Sequence, residues 1–195
     1  HNLVISHHPL IFKGYKSITG KDYVERCILK AIKNDIVIYS AHTNLDNAYG
    51  GVNYKIAEKI GLKNLQVLEP KENSLQDDLM QAGAGIVGEL DEPETELEFL
   101  KRIKKTFEVG CVRHNRLTGR EIQKVALCGG AGAFLLPQAI RAGADVFITG
   151  EIKYHDYFGH EGDILMAEIG HYESEQYTKE IFYSIIRDLF PNFAL

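Results

Sequence analysis

Histidines and carboxylates stand at three places in this 195-residue chain where a divalent metal ion could be held. Ser6-His7-His8-Pro9 sets two adjacent imidazoles at the end of an apolar run. Ala41-His42-Thr43-Asn44-Leu45-Asp46 places a histidine and an aspartate just past a second apolar run. Gly170-His171-Tyr172-Glu173-Ser174-Glu175 adds a histidine and a carboxylate four apart. Imidazole and carboxylate donors without a thiolate suit zinc, iron, manganese or cobalt. His7, His8, Asp46, His171 and Glu175 are too many donors for one catalytic zinc, and about right for two divalent ions with positions left for water. Two divalent ions outweigh two carboxylates, so such a centre would be net positive and would attract an anionic small-molecule substrate. Paired ions roughly 3.5–4 Å apart clamp both the attacking and the leaving oxygen of a hydrolysis. A purely structural site would favour a closed four-ligand set, usually rich in cysteine.

Each pair also has an ordinary reading. His171 and Glu175 share one face if a helix begins by His171, but a glutamate there could simply offset a helix dipole. His7 and His8 would point to opposite faces of a regular strand. Pro9 ends the strand, and a bend there would let one histidine serve each of two ions. Asp46 could bridge two ions, or close an Asx-turn or cap a helix. His42 is expected to orient a ligand or touch substrate rather than bind metal. His155 follows a strand end in Lys153-Tyr154-His155, so it and His42 are the candidate proton carriers, though His155 could equally be a packing residue. Gly129-Gly130-Ala131-Gly132 could present backbone N–H groups to a phosphate, or be only a tight turn. Leu135 stands where the third glycine of a dinucleotide fingerprint belongs, which argues against NAD.

Apolar runs alternating with amphipathic stretches position these groups and predict an α/β protein. Strands are expected at 3–5, 36–40, 124–128, 145–149 and 163–167, with a strand-like run at 65–68. Helices are expected at 21–33, 53–60, 93–107, 134–142 and 173–189. The stripe Val24, Ile28, Leu29 and Ile32 should face the core of the first helix, and Gly61 should stop the second. The similar strand ends before His7 and before Gly150-Glu151 suggest two related α/β lobes, 1–76 and 77–195, gathering ligands at the carboxyl ends of their strands. The passage around 73–78 fits no element and reads as the seam of an absent insert. Both termini read as cut: the first strand has no lead-in, and 191–195 stops as an extended segment begins.

Composition excludes several classes. The hydrophobic fraction of 45% and charged fraction of 25% are those of a soluble globular protein. A net charge of −5 argues against nucleic-acid binding, direct DNA binding included. No apolar run is long enough for a membrane span and no leader is evident. Three widely spaced cysteines without a CxxC read as reduced thiols of a cytoplasmic protein.

The segments SHHPLIFKG (6–14), SAHTNLD (40–46), CGGAGA (128–133), TGEIKYHD (149–156) and GHYESE (170–175) occur in an order that runs nearly the length of the chain. On them the chain resembles the Nif-three-like proteins, often labelled type 2 GTP cyclohydrolase I homologues. The resemblance implies two similar α/β lobes with a metal site in the cleft between them. It implies a dinuclear centre at His7, His8, Asp46, His171 and Glu175, a cyclohydrolase-like attack on a nucleotide-like or phosphate-bearing substrate, and a ring-shaped homohexamer. It also implies an upstream helix and strand, and in many bacterial members an inserted domain where the seam falls. Glu151 replaces the aspartate more usual after Thr-Gly, outside the five ligand positions. The rival expectation is a non-catalytic metal-binding scaffold or regulatory protein.

Overall fold

The computed structural model describes residues 2–71 and 82–192. The expected seam at 73–78 and the end of the expected extended segment, 193–195, lie outside the described residues. The chain divides into two compact units, His1–Leu45 and Asp46–Leu195.

In the first unit, β1 (Leu3–Ser6) and β2 (Val37–Ser40) pair in parallel, with Leu3 opposite Val37 and Ser6 opposite Ser40. Parallel neighbours cannot be joined by a hairpin, and α1 (Tyr23–Lys33) makes the crossover. Asp22 caps this helix by accepting from the Glu25 N–H at 2.8 Å. The Glu25 carboxylate is buried and accepts from the backbone N–H groups of Thr19, Gly20 and Lys21 and from the Thr19 hydroxyl. That clasp turns the buried face of α1 toward Glu25. Val24 and Ile28 are buried as expected, while Ile32, expected on the same stripe, is 67% exposed. Leu3, Val4, Val37 and Tyr39 are exposed too, although parallel strands are usually covered on both faces.

The second unit opens at the end of α2 (Thr43–Asp46), a single turn, and continues with α3 (Val52–Ile60), which ends at Gly61 as expected. Then come β3 (Lys63–Pro70), β4 (Gly83–Thr95), α4 (Glu96–Thr106), β5 (Arg113–His114) and β6 (Glu121–Cys128). The remainder is α5 (Leu136–Arg141), β7 (Val146–Thr149), β8 (Leu165–Glu168), α6 (His171–Glu175) and α7 (Thr178–Leu189). One mixed sheet runs β3-β4-β6-β7-β8-β5, with β6, β7 and β8 parallel and the other pairings antiparallel. Its central strands are the core: Val146, Phe147, Leu165 and Met166 have no exposed surface. Burying each such side chain contributes about 1.5–3 kcal/mol.

The elements differ from the sequence expectation in several places. β4 begins beyond the expected boundary at 76, and no strand was expected there. At Gly83 and Gly88 β3 lies close: a Cβ on Gly88 would sit 2.7 Å from a Leu65 methyl and 2.8 Å from the Lys63 carbonyl. β3 therefore pairs with β4 within the second unit. The helix expected at 93–107 starts at Glu96, because Thr95 and Glu98 form a reciprocal capping box. Pro93 stays in β4, where the pairing with β6 is irregular between Glu89 and Glu94. The helix expected at 173–189 is two helices. The break falls where Gln176 and Tyr177 reach across to the carbonyls of Phe107 and Thr106, at 2.9 and 2.7 Å. Among the described residues no helix is long and apolar enough to cross a membrane.

Candidate metal centre

In the second unit the metal-type donors collect at the carboxyl ends of β6, β7 and β8. β8 runs out through Ile169 and Gly170 straight into α6, whose first residue is His171 and whose last is Glu175. One turn of helix puts both side chains on the same face, with His171 Nε2 3.3 Å from Glu175 Oε2. Glu175 is 9% exposed, so its carboxylate is largely withdrawn from water. The other ring nitrogen, Nδ1, lies 2.6 Å from Oε1 of Glu151, which follows the end of β7. A carboxylate can only accept, so Nδ1 carries a proton and donates, and Nε2 faces Glu175 Oε2.

Gly130, just past β6, fixes this arrangement. Its N–H donates to Ser174 Oγ at 2.9 Å, and its carbonyl accepts from the Glu151 N–H at 3.0 Å and the Thr149 hydroxyl at 3.2 Å. Its φ is +62°, and a Cβ there would overlap Glu175 Oε1 and come within 3.3 Å of His171 Nε2. A side chain at 130 would therefore push the Glu175 carboxylate aside. The neighbouring amides are engaged as well: Gly129 N–H donates to Asn53 Oδ1 at 2.9 Å and Gly132 N–H to Thr149 Oγ1 at 3.0 Å. The Gly129–Gly132 turn is thus the floor of the donor cluster, and its N–H groups at 129, 130 and 132 are not presented to a phosphate.

Asp46 joins through Asn53, a residue the sequence reading did not single out. Asn53 is 2% exposed and donates from Nδ2 to the Asp46 carbonyl at 2.9 Å while accepting from Gly129. The Asp46 and Glu175 carboxylates both act on the buried Cys128 thiol. Burial first, then Asp46, then Glu175 push that thiol up to about 12, so it stays protonated beside the carboxylates. His155 lies in the segment that follows β7. It lies exposed on a 3-10 turn, Tyr154–Tyr157, with its ring against those of Tyr154 and Phe158. That turn is tied down by Tyr157, whose hydroxyl donates to the buried Glu168 at 2.9 Å and whose own pKa is raised by burial and by that bond. Arg113 pairs with the other oxygen of Glu168.

In the first unit His7, His8 and His42 form a second cluster. β1 ends at Ser6, so the two adjacent histidines are released from strand alternation. The Ser6 hydroxyl donates back to the His8 carbonyl at 2.9 Å and holds the bend. Ring centroids are 4.9 Å apart for His7 and His8, 5.5 Å for His7 and His42, and 5.2 Å for His8 and His42. His7 Nδ1 donates to the Ala41 carbonyl at 2.8 Å, because a carbonyl can only accept. Both units thus present an imidazole whose second nitrogen is already committed, the arrangement found behind metal-binding histidines.

The fold and these residues define a mixed α/β protein with imidazole and carboxylate donors gathered at strand ends. The chain belongs to the Duf34/NIF3 (NGG1p interacting factor 3) family, whose model matches residues 1–195. A Lactococcus lactis relative named GTP cyclohydrolase 1 type 2 homolog is 33% identical over all of this chain and 71% of that protein. A Clostridium acetobutylicum relative of the same name is 32% identical over 89% of this chain. The aligned region spans 64% of the length of that relative. The crystal structure of Staphylococcus aureus hypothetical protein SA1388 superposes with a TM-score of 0.86 at 31% identity, covering 97% of this chain and 73% of that one.

Proposed function

We propose that this protein is a dinuclear metal-dependent hydrolase of the GTP cyclohydrolase 1 type 2 homologue class. Its two divalent ions, zinc, iron, manganese or cobalt, would be held by His7, His8, Asp46, His171 and Glu175. The observation that carries this reading is Gly130: a side chain at that position would occupy the space beside His171 Nε2 and Glu175 Oε1. The donor chemistry agrees, since His7 and His171 each present Nε2 with Nδ1 already donating. When bound, paired ions would supply a nucleophile at neutral pH and stabilise negative charge on oxygen. The chain's own part is to fix both tautomers and keep bulk away from the donor atoms. Anionic, nucleotide-like or phosphate-bearing small molecules are the substrates such a centre suits, and His42 is the imidazole beside His7 and His8 best placed to move a proton.

One observation favours a second reading, a metal-binding scaffold without turnover. His155, the other expected proton carrier, is exposed, with its ring edge-on to Tyr154 and tilted against Phe158. In that reading the ions stabilise a homo-oligomer, a hexamer by family resemblance.

The test is metal content per chain by elemental mass spectrometry on wild type, His7→Ala and Glu175→Ala. About two ions in wild type, reduced in both variants, supports the centre. Metal-dependent turnover in a screen of nucleotides and phosphoesters then selects the hydrolase, whereas an oligomer that dissociates on chelation without any turnover selects the scaffold. A chain that binds no metal, or variants with undiminished content, rules out both.

A further inference from the structure

We propose that Glu151 is the positioning residue of the centre, fixing His171 in its Nδ1–H tautomer and aiming Nε2 at Glu175. The inference rests on the metal reading above for its purpose, but its geometry stands within the second unit alone. Glu151 Oε1 is 2.6 Å from His171 Nδ1, a charge-assisted distance. The carboxylate is delivered there by the backbone. Thr149 ends β7, and the Glu151 N–H donates to the Gly130 carbonyl at 3.0 Å, so Glu151 is anchored to the same glycine that faces Glu175. Gly150 permits this closeness, because a Cβ there would sit 2.6 Å from the Gly130 carbonyl and 2.9 Å from the His171 Cα.

The consequence is electrostatic. With Nδ1–H donated to Glu151, the Nε2 lone pair faces Glu175 Oε2 at 3.3 Å. Two acceptors facing one another are stabilised by a cation between them, or by a second proton on the ring. Glu151 thus prepares Nε2 as a ligand atom and raises its basicity toward metal. The Glu151 side chain is 57% exposed, so its removal leaves the packed core untouched.

The experiment uses the full chain stripped of metal, with Glu151→Gln, Glu151→Ala and Glu151→Asp. The first readout needs no metal: imidazole nitrogen-15 shifts report the His171 tautomer at neutral pH. Wild type should show Nδ1–H. Glu151→Gln should keep it through its amide oxygen, and Glu151→Ala should lose it to a mixture of tautomers. The second readout is Zn2+ affinity by chelator competition. Glu151→Ala should bind about 10–100-fold more weakly, Glu151→Gln should fall between it and wild type, and Glu151→Asp should recover most of the loss. Melting temperatures should agree across the set. An unchanged tautomer together with unchanged Zn2+ affinity in Glu151→Ala overturns the proposal. If wild type binds no Zn2+, the metal reading falls, and the tautomer measurement alone decides whether Glu151 positions His171.

Discussion

The histidine cluster of the first unit and the histidine–carboxylate cluster of the second use one device on unequal foundations. In both, an imidazole Nδ1 is committed so that Nε2 is presented: to the Ala41 carbonyl for His7, to the Glu151 carboxylate for His171. The second cluster stands on strands whose Val146, Phe147, Leu165 and Met166 have no exposed surface, and Gly130, Asn53, Ser174 and Thr149 lock its floor through hydrogen bonds of 2.9–3.2 Å. The first stands on a two-stranded parallel sheet whose Leu3, Val4 and Val37 are 53%, 46% and 61% exposed. Donor geometry in the second unit is therefore fixed by packing, while in the first it depends on local bends held by the Ser6 hydroxyl and the Ala41 carbonyl. The difference shows that ligand type alone does not make a preorganised site; the supporting hydrogen bonds do.

Core truncation should separate the two foundations most widely. Phe147→Ala removes a fully buried ring from β7 and should cost about 3–5 kcal/mol. Val4→Ala in β1, half exposed, should cost less than about 1 kcal/mol. Chemical denaturation followed at probes in each unit measures both. A comparable cost for Val4→Ala would break the comparison, because it would mean that an apolar layer covers β1 and β2 in solution.

Next in size is Gly130→Ala. Its Cβ would displace the Glu175 carboxylate, so metal affinity should fall about 100-fold, equivalent to about 2.7 kcal/mol. The positive φ adds about 1–2 kcal/mol of backbone strain, which leaves the unit folded. Elemental analysis with circular dichroism distinguishes a lost site from a lost fold, and wild-type metal content in the variant would refute the role given to Gly130.

Asn53→Ala should act more gently. It leaves the Gly129 N–H and the Asp46 carbonyl without their buried partner and should cost about 1–3 kcal/mol. Asn53→Asp keeps the acceptor for Gly129 but cannot donate to Asp46, so its metal loss should trace to Asp46 alone. Equal stability of the alanine variant and wild type in thermal melts would show that the bridge is replaceable.

How much of this was written in the sequence depends on the range of the interaction. The pairing of His171 with Glu175 is a helical period, and the release of His7 and His8 follows from Pro9 ending a strand; both are local, and both were legible. Asn53, Glu151 and Ser174 were not, because their roles depend on partners 20 to 76 residues away or on a glycine turn that brings three strand ends together. Glu151 was in view as a departure from the usual aspartate, yet nothing local shows that it reaches His171. β4 was hidden for the same reason: its Gly83 and Gly88 lie against β3, a contact that no local pattern shows. The α/β alternation was readable from period alone, whereas the allocation of β3 to the second unit required its pairing partner.

The smallest effect predicted concerns acid, and it sharpens the contrast between the two units. Burial alone would raise the Glu25 pKa, but the hydrogen bonds from Thr19, Lys21 and Gly20 outweigh it and bring the carboxyl to about 2 from its ordinary 4.5. A carboxyl lowered on folding contributes stability that is complete above its unfolded pKa and is lost as pH falls through its folded one. The loop that enters α1 should therefore hold at pH 5 and loosen as pH drops from 4.5 toward 2. The Glu25 carboxyl carbon-13 shift and the amide shifts of Thr19 and Gly20 should move together, and Glu25→Gln should abolish that shared midpoint. In the second unit the amides of Gly129, Gly130 and Gly132 donate to Asn53, Ser174 and Thr149, neutral oxygens with no proton to gain in this range. Their hydrogen bonds should persist where those of Thr19 and Gly20 fail. A Glu25 midpoint near 4.5 would show that its clasp is not maintained in solution, and the first unit would then have lost the strongest of its internal supports.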